Sequence, residues 1–291
     1  MGARDLIGAA LPAAAAGDTL REYAFEPADF ERVRRMIHAR AGISLNESKQ
    51  HMVYSRLSRR LRALGIDSFA TYLDRLEHDP GFTAQEQQPF VNALTTNLTA
   101  FFREPHHFEL LTEFCAQRAP GRIWCAASST GEEPYSILMT LVEALGSGTS
   151  ARLLATDIDT EVLATARRGV YPEESARACG DARLRRFFQR GAGANAGMVR
   201  IKPEIARMVE FAPLNLLEES WPALRGFAEQ VDIVFCRNVM IYFDKPTQRA
   251  ILERISRVLR PGGLLLVGHS ENFTQCRDWF VLRGKTVYER V

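Results

Sequence analysis

The sequence lacks the features of a secreted or membrane protein. Its five cysteines are odd in number and include no C-x-x-C pair, which argues against a disulfide framework. No apolar run is long enough to span a bilayer, and only Arg4 precedes the apolar patch near the N-terminus, unlike a secretory signal. We therefore expect a cytoplasmic protein that does not insert into membranes.

A strong net charge is also missing. The formal charge is only +2, so the total gives no reason to expect a nucleic-acid-binding protein. The hydrophobic fraction of 46% and the charged fraction of 25% are ordinary for a globular chain. At 291 residues the chain exceeds one average domain, and we expect two.

The apolar pattern changes along the chain. Residues 26–102 repeat apolar side chains at helical spacing, whereas from residue 122 onward short apolar runs alternate with helical stretches, as in a mostly parallel sheet covered by helices. The predicted divisions are a disordered tail at 1–22, a helical N-terminal domain at 23–95 and an α/β domain at 96–291.

Five strands and three helices are predicted in the α/β domain. The strands are at 123–126, 153–156, 209–212, 231–236 and 264–268, and the helices at 134–145, 160–168 and 246–259. We expect the last helix to stop before Pro261 and a hairpin at 280–288 to close the sheet edge. The insertion at about 170–207 is too long for a plain connection, which indicates a small β-subdomain.

The turn after the first strand, residues 127–135, is rich in small residues. Such a turn lets a ligand approach the backbone at the carboxyl edge of the sheet. It lacks a full G-x-G-x-x-G pattern and a phosphate-binding lysine, which disfavours phosphate ligands. Because Pro134 suits the first helical position, Glu133 is predicted to be the N-cap. Its side chain then faces a cationic group in the cleft or, alternatively, is solvated near the helix dipole.

Two aspartates follow the second predicted strand. Asp157 is placed to accept hydrogen bonds from both hydroxyls of a ribose, and Asp159 to cap the next helix, although capping is the structural alternative for either. An acidic ribose contact without a phosphate-binding device suggests an adenosine ligand such as S-adenosylmethionine. Residues 237–243, after the fourth strand, are where a substrate would meet that cofactor, unless they form an ordinary polar loop.

Four segments together closely resemble the chemotaxis receptor methyltransferase family of the CheR type: residues 94–104, 129–136, 235–244 and 268–273. The similarity extends from about residue 30 to residue 288. It implies an all-helical N-terminal domain, a Rossmann-like S-adenosylmethionine-dependent methyltransferase domain and an inserted small β-subdomain. It also implies methylation of glutamate side chains on chemoreceptors, giving methyl esters and S-adenosylhomocysteine.

The resemblance implies a set of site residues as well. Cofactor contacts are expected at Asn97, Thr99, Arg103, Glu133, Asp157, Asn215, Leu216, Arg237 and Asn238, and direct catalytic roles at Arg103 and Tyr242. A glutamate carboxylate has an ordinary pKa of about 4.3, so it is ionised at neutral pH and needs no general base. We expect Arg103 and Tyr242 to steer and orient it for in-line attack, and we expect no metal.

Partner binding is predicted on the helix after residues 44–47, which resemble a capping box. On a helical wheel this helix has one apolar side and one basic arc. Such an arc is often simply solvated, but the family resemblance implies that Arg56, Arg59 and Arg60 within it contact the acidic cytoplasmic helical bundle of a chemoreceptor. His106 and His107 are expected to pack or cap rather than bind metal.

Two other functions remain open at this point. A nucleic-acid methyltransferase would use the basic helix to contact phosphates, but the helix lacks interleaved aromatics, and the Asn-Pro-Pro-Tyr motif of amino-group methyltransferases is absent. A non-catalytic adapter would bind the cofactor as a signal without turnover. We expect a monomer that does not bind nucleic acid.

Overall fold

A computed structural model of the chain describes residues 22–227 and 229–291. The tail predicted for residues 1–22 lies outside the described residues, apart from Glu22. In the part of the chain that is described, no helix combines the length and the apolar character needed to cross a membrane.

The N-terminal part is all-helical, as predicted. Its helices are α1 (Pro27–Ala41), α2 (Gln50–Leu64), α3 (Phe69–His78) and α4 (Pro80–Leu94), with a 3-10 turn at Glu47–Lys49. They enclose a separate apolar core. Helix α2 contributes Val53, Leu57 and Leu61, which are fully buried and four residues apart, so burial of one face holds this helix in place.

The capping box predicted at residues 44–47 is wrong. Helix α2 begins only at Gln50, and no side chain caps either the helix or the 3-10 turn before it. The backbone N–H of Ser44 instead donates to the carbonyl of Tyr242, 2.8 Å away in the other domain. A contact between domains therefore replaces the local cap.

Among its described residues, the second part contains ten strands and eight α-helices. The strands are β1 (Arg122–Cys125), β2 (Arg152–Asp157), β3 (Val170–Pro172), β4 (Phe188–Arg190), β5 (Met198–Ile201), β6 (Val209–Pro213), β7 (Val231–Cys236), β8 (Leu259–Val267), β9 (Phe280–Gly284) and β10 (Val287–Arg290). The helices are α5 (His106–Gln117), α6 (Glu132–Leu145), α7 (Thr160–Arg168), α8 (Glu173–Ala176), α9 (Asp181–Phe187), α10 (Pro203–Ala206), α11 (Pro222–Phe227) and α12 (Lys245–Val258).

The main sheet has seven strands in the order β6-β2-β1-β7-β8-β10-β9. The first five are parallel, and β10 and β9 add antiparallel strands at the edge, as the predicted hairpin requires. Two apolar clusters are centred on the strands, one containing Ile123 and Phe235 and the other Trp124 and Val234. Because neighbouring residues of a strand point to opposite faces, these clusters lie on the two faces of the sheet.

Strand β8 differs from the prediction at its start. It begins at Leu259, where a helix end was expected, and Pro261 lies inside the strand. Leu259 pairs with Val231 and Leu264 pairs with Ile233, so β8 advances five residues while β7 advances two. The proline and the two glycines after it therefore form a bulge, which absorbs the extra residues and leaves the ladder intact on both sides.

The insertion forms a small β-subdomain, as predicted. Strands β3, β5 and β4 make an antiparallel sheet in that order, and β4 and β5 form a hairpin around the glycine-rich residues 191–197. Tyr171 on β3 and Phe188 on β4 pack edge-on against Phe101, with ring centroids 5.0 Å and 5.6 Å apart. The subdomain thus supports the segment that joins the two domains.

Candidate active site

A cavity of about 200 Å³ lies at the carboxyl ends of the parallel strands, beneath the N-terminal domain. Strand order reverses direction between β1 and β7, which is where open α/β sheets bind ligands. All ten residues predicted to bind the cofactor or to act in catalysis line this cavity: Asn97, Thr99, Arg103, Glu133, Asp157, Asn215, Leu216, Arg237, Asn238 and Tyr242. The predicted residues come from five separate segments, so the fold brings them together.

Asp157 ends β2 and is buried. Its Oδ2 accepts from the N–H of Ser129 at 2.8 Å, and its Oδ1 accepts from the N–H of Asp159 at 3.0 Å. Burial raises the pKa of Asp157 to about 6, although hydrogen bonds from backbone N–H groups oppose the shift. The two bonds fix the carboxylate and leave lone pairs that can accept from a ligand.

Asp159 caps α7, as predicted, and also has a second role. Its Oδ1 accepts from the N–H groups of Glu161 and Val162 at 2.9 and 3.2 Å. Its Oδ2 accepts from the Thr95 hydroxyl at 2.6 Å and from the Asn97 amide at 2.8 Å. Asp159 therefore fastens the segment between the domains to the edge of the sheet. Only the position of this aspartate, two residues after Asp157, pointed to the site, and its contacts with residues 95 and 97 could not be read from that position.

Glu133 is not the N-cap of α6. The helix begins at Glu132, two residues before the predicted start at Pro134, and Gly131 occupies the cap position at a φ of 103°, where a Cβ would lie 2.6 Å from the Tyr171 hydroxyl. Pro134 is then the third helical residue. An N–H group at that position has no acceptor within the helix, so the proline costs no helical hydrogen bond. The prediction placed the cap wrongly because it took proline to mark the first helical residue.

Glu133 does face a cationic group, which is the guanidinium of Arg237 directly after β7. The Arg237 side chain is fully buried, contacts Glu104 at 3.5 Å and donates to the Arg103 carbonyl at 2.6 Å. The pKa of Glu104 is lowered to about 2. Burial alone would raise it, but the hydrogen bond with His269 and the charge of Arg237 outweigh burial. One buried cation between two carboxylates thus forms the back of the cavity.

Asn238 adopts the left-handed conformation, with a φ of 57°. The buried side chain of Glu271 holds this turn by accepting from the N–H groups of Gly268, Asn238 and Met240 at 2.6, 3.0 and 2.8 Å. Glu271 lies in one of the segments that carry the family resemblance, but its structural role was missed. A carboxylate that satisfies three backbone donors explains how residues 237–242 keep their shape.

The N-terminal domain forms one wall of the cavity. Ile43, Lys49 and Met52 line it, although none of these residues was predicted as part of the site. The amide of Asn215 donates to the Arg40 carbonyl at 2.7 Å, which joins the wall to the sheet edge. Arg103 donates to the Leu98 carbonyl at 2.9 Å. Leu98, Arg103 and Tyr242 are among the more exposed lining residues, and we call these three the mouth of the cavity.

The three arginines predicted to bind substrate lie outside the cavity and differ in their surroundings. Arg56 donates to the Thr95 carbonyl and to that of Ala93 at 3.4 Å. Arg60 donates to both oxygens of the buried Glu86 at 2.8 and 2.6 Å. Arg59 is exposed. Two of the three side chains therefore have structural partners within the N-terminal domain.

His107 is buried behind Arg237, with its Nε2 2.8 Å from the Thr286 hydroxyl. Burial, together with the charge of Arg237, lowers its pKa to about 3. Ligand atoms of Glu104, His106 and His107 lie within 4.8 Å of one another. The neighbouring guanidinium opposes a cation there. The absence of a bound metal stays a prediction.

A five-stranded parallel sheet closed by an antiparallel hairpin, with a buried acid after the second strand, defines the class of Rossmann-like S-adenosylmethionine-dependent methyltransferases. Residues 97–288 match the family model of the CheR methyltransferase, SAM binding domain, and residues 28–95 match that of the CheR methyltransferase, all-alpha domain. The chain belongs to the CheR family of chemotaxis protein methyltransferases. The domain boundaries stated above stay predictions.

Curated relatives agree with this assignment. Chemotaxis protein methyltransferase 2 of Pseudomonas aeruginosa is 52% identical over 273 residues, which cover 92% of this chain and 95% of the relative. The chemotaxis protein methyltransferases of Klebsiella aerogenes and Escherichia coli are 53% and 50% identical over 264 and 267 residues. These matches cover 90% and 91% of this chain, and 89% and 91% of the relatives. Both alternatives, the nucleic-acid methyltransferase and the adapter, lose support.

Proposed function

We propose that the cavity at the sheet edge is where this methyltransferase binds S-adenosylmethionine and esterifies glutamate side chains of chemoreceptors. The observation that carries the proposal is that the ten residues implied by the family resemblance, which come from five segments, line one cavity. S-adenosylmethionine, when bound, supplies the methyl group, which a glutamate carboxylate accepts to give a methyl ester and S-adenosylhomocysteine.

The residues present fit an adenosine ligand. Asp157 offers a fixed carboxylate for ribose hydroxyls, and the buried side chains of Leu214 and Leu216 give an apolar wall for a base. Glu133 and Arg237 place both signs of charge at the back of the cavity, where an amino-acid ammonium and carboxylate would find opposite partners. We assign the amides of Asn97, Asn215 and Asn238 and the hydroxyl of Thr99 to the remaining polar contacts.

Arg103 and Tyr242 are assigned to the acceptor. An ionised glutamate needs no base, so these groups contribute by holding one carboxylate oxygen in line with the methyl group. Arg103 has five N–H donors, and its contact with the Leu98 carbonyl leaves others for a carboxylate. Tyr242 is half-buried, and its backbone carbonyl accepts a hydrogen bond from the N–H of Ser44, which holds the backbone that carries the phenol ring. No step requires a metal.

The acceptor is assigned to the cytoplasmic helical bundle of a chemoreceptor. Among the three predicted substrate arginines, Arg59 is exposed, whereas Arg56 and Arg60 have partners within their own domain. We therefore assign long-range attraction to the acidic bundle chiefly to Arg59. A monomeric state and a cytoplasmic location complete the proposal, and the five buried free cysteines are consistent with a reducing compartment.

Methyl transfer from labelled S-adenosylmethionine to receptor-rich membranes tests this proposal. Mild base should release volatile methanol from a band of receptor size, because only a carboxyl ester is hydrolysed so readily. The matched control is Asp157→Ala, which should bind the cofactor weakly and give little label. Label that resists base would exclude esterification, and normal cofactor affinity in Asp157→Ala would exclude the ribose assignment.

A further inference from the structure

Two large apolar side chains are exposed to solvent close to Arg103 and Tyr242, the residues proposed to hold the acceptor carboxylate. Leu98 is 79% exposed and lines the mouth of the cavity, and Ile241 is 50% exposed and directly precedes Tyr242. Six large hydrophobic side chains are exposed among the described residues. Of these six, Leu98 lines the cavity and Ile241 is the chain neighbour of the lining residue Tyr242. Each of them is attached to a candidate catalytic residue, by a hydrogen bond for Leu98 and by the chain for Ile241.

The exposure of Leu98 does not come from a lack of apolar space nearby. Phe101, three residues further on, is buried against the β-subdomain. The segment is also held in place, because Arg103 donates to the carbonyl of Leu98 and Asp159 accepts from the amide of Asn97. These bonds keep Leu98 in solvent beside Arg103, where an incoming acceptor can contact it.

Ile241 is held in a similar way. It lies in the 3-10 turn Met240–Tyr242, where the N–H of Met240 donates to Glu271 at 2.8 Å and the carbonyl of Met240 accepts from Gln248 at 2.8 Å. The neighbouring Met240 is fully buried. The turn therefore holds Ile241 outward on a rigid support, directly beside Tyr242, which lines the cavity.

The acceptor itself indicates what covers these side chains. A glutamate side chain is short, so its carboxylate can reach a buried methyl group only if the helix that carries it lies against the mouth of the cavity. Residues one turn before and after that glutamate then face Leu98 and Ile241. We propose that these two residues form an apolar rim that packs against apolar side chains of the acceptor helix and selects which glutamates are methylated. This proposal rests on the function proposed above.

The rim should affect receptor binding without affecting cofactor binding. Losing the burial of one such side chain should raise KM for receptor membranes about tenfold in Leu98→Ser and in Ile241→Ser. Leu98→Met keeps the apolar contact and should rescue most of the loss. Leu282→Ser is the matched control, since Leu282 is 45% exposed on the edge strand β9, outside the cavity lining.

Initial rates of base-labile methylation at varied receptor concentration, together with the calorimetric Kd for S-adenosylmethionine, separate the outcomes. The expected result is a raised receptor KM, an altered distribution of label among glutamates and an unchanged cofactor Kd. An unchanged KM in both serine variants would overturn the rim, and so would an equal weakening of cofactor binding. The absence of base-labile label with the unaltered enzyme would instead refute the proposed function.

Discussion

The back and the mouth of the cavity are built differently. At the back, Glu133, Asp157 and Arg237 are all less than a tenth exposed, and each has partners that fix its position. At the mouth, Arg103 and Tyr242 are half-buried, with exposed apolar neighbours. The rigid back of the cavity suits an invariant small ligand such as a cofactor. The more exposed mouth suits contact with the surface of a protein substrate. Substitutions on the two sides should therefore change different measurable quantities.

The largest expected effect is on the free energy of unfolding. It tests how strongly the buried charges at the back of the cavity depend on one another. Arg237→Met leaves the carboxylates of Glu104 and Glu133 without their buried cation, and removing one partner from a buried ion pair costs about 3–5 kcal/mol. Urea unfolding measures the loss. The control is Arg249→Met, whose partner Asp278 is exposed, and which should cost less than about 1 kcal/mol. Equal midpoints for the two variants would contradict the comparison.

The second expected effect concerns cofactor affinity. Charged hydrogen bonds are worth about 1.5–3 kcal/mol each, so Asp157→Asn should weaken S-adenosylmethionine binding about tenfold to hundredfold at pH 7.5. Because burial raises the pKa of Asp157 to about 6, the unaltered protein should also bind about tenfold more weakly at pH 5. Asp157→Asn should lack that pH step. Calorimetry at the two pH values measures both effects.

The sign of this pH dependence differs for binding and for stability. The folded pKa of Asp157 lies above the ordinary value of 3.8, so its contribution to the stability of the ligand-free protein is fully present below pH 3.8 and is lost as the pH rises through about 6. Cofactor affinity should rise over that same range. Affinity that falls between pH 5 and 7.5 would rule out ionised Asp157 as the ribose acceptor.

The sequence predicted the back of the cavity better than its surroundings. Strand β7 has the predicted bounds, Asp157 is the last residue of β2, and Arg237 directly follows β7. Such features depend on local periodicity and on the rule that strand ends meet at one edge. The helix start at Glu132 was missed because it depends on a close contact between Gly131 and Tyr171, which is 40 residues away in sequence.

The partners of the arginines on α2 could not be predicted from spacing. Arg60 faces Glu86 from another helix, and Arg56 faces carbonyls at the end of α4, so both contacts exist only after the domain has folded. A helical wheel identifies the polar side of a helix and says nothing of what covers it. The contacts of Asp159 with Thr95 and Asn97 could not be predicted for the same reason, because they also form only in the folded protein.

A third, smaller effect tests the mouth. Tyr242→Phe removes one hydroxyl that is assigned to the acceptor carboxylate, and we expect kcat to fall about tenfold. The cofactor Kd should stay unchanged, in contrast to Asp157→Asn. Single-turnover rates with saturating receptor membranes provide the measurement. A normal rate with Tyr242→Phe would show that the hydroxyl does not orient the acceptor.

The smallest expected effect separates two neighbouring arginines on α2. Arg59→Gln removes an exposed charge and should raise the receptor KM about twofold to threefold at low salt, with the difference disappearing as ionic strength rises. Its urea midpoint should not move. Arg60→Gln leaves Glu86, whose side chain is 3% exposed, without its cation, so this variant should lose about 1–3 kcal/mol of stability. If both variants lost stability and neither changed the salt dependence of KM, α2 would be a structural helix and the mouth alone would bind the receptor.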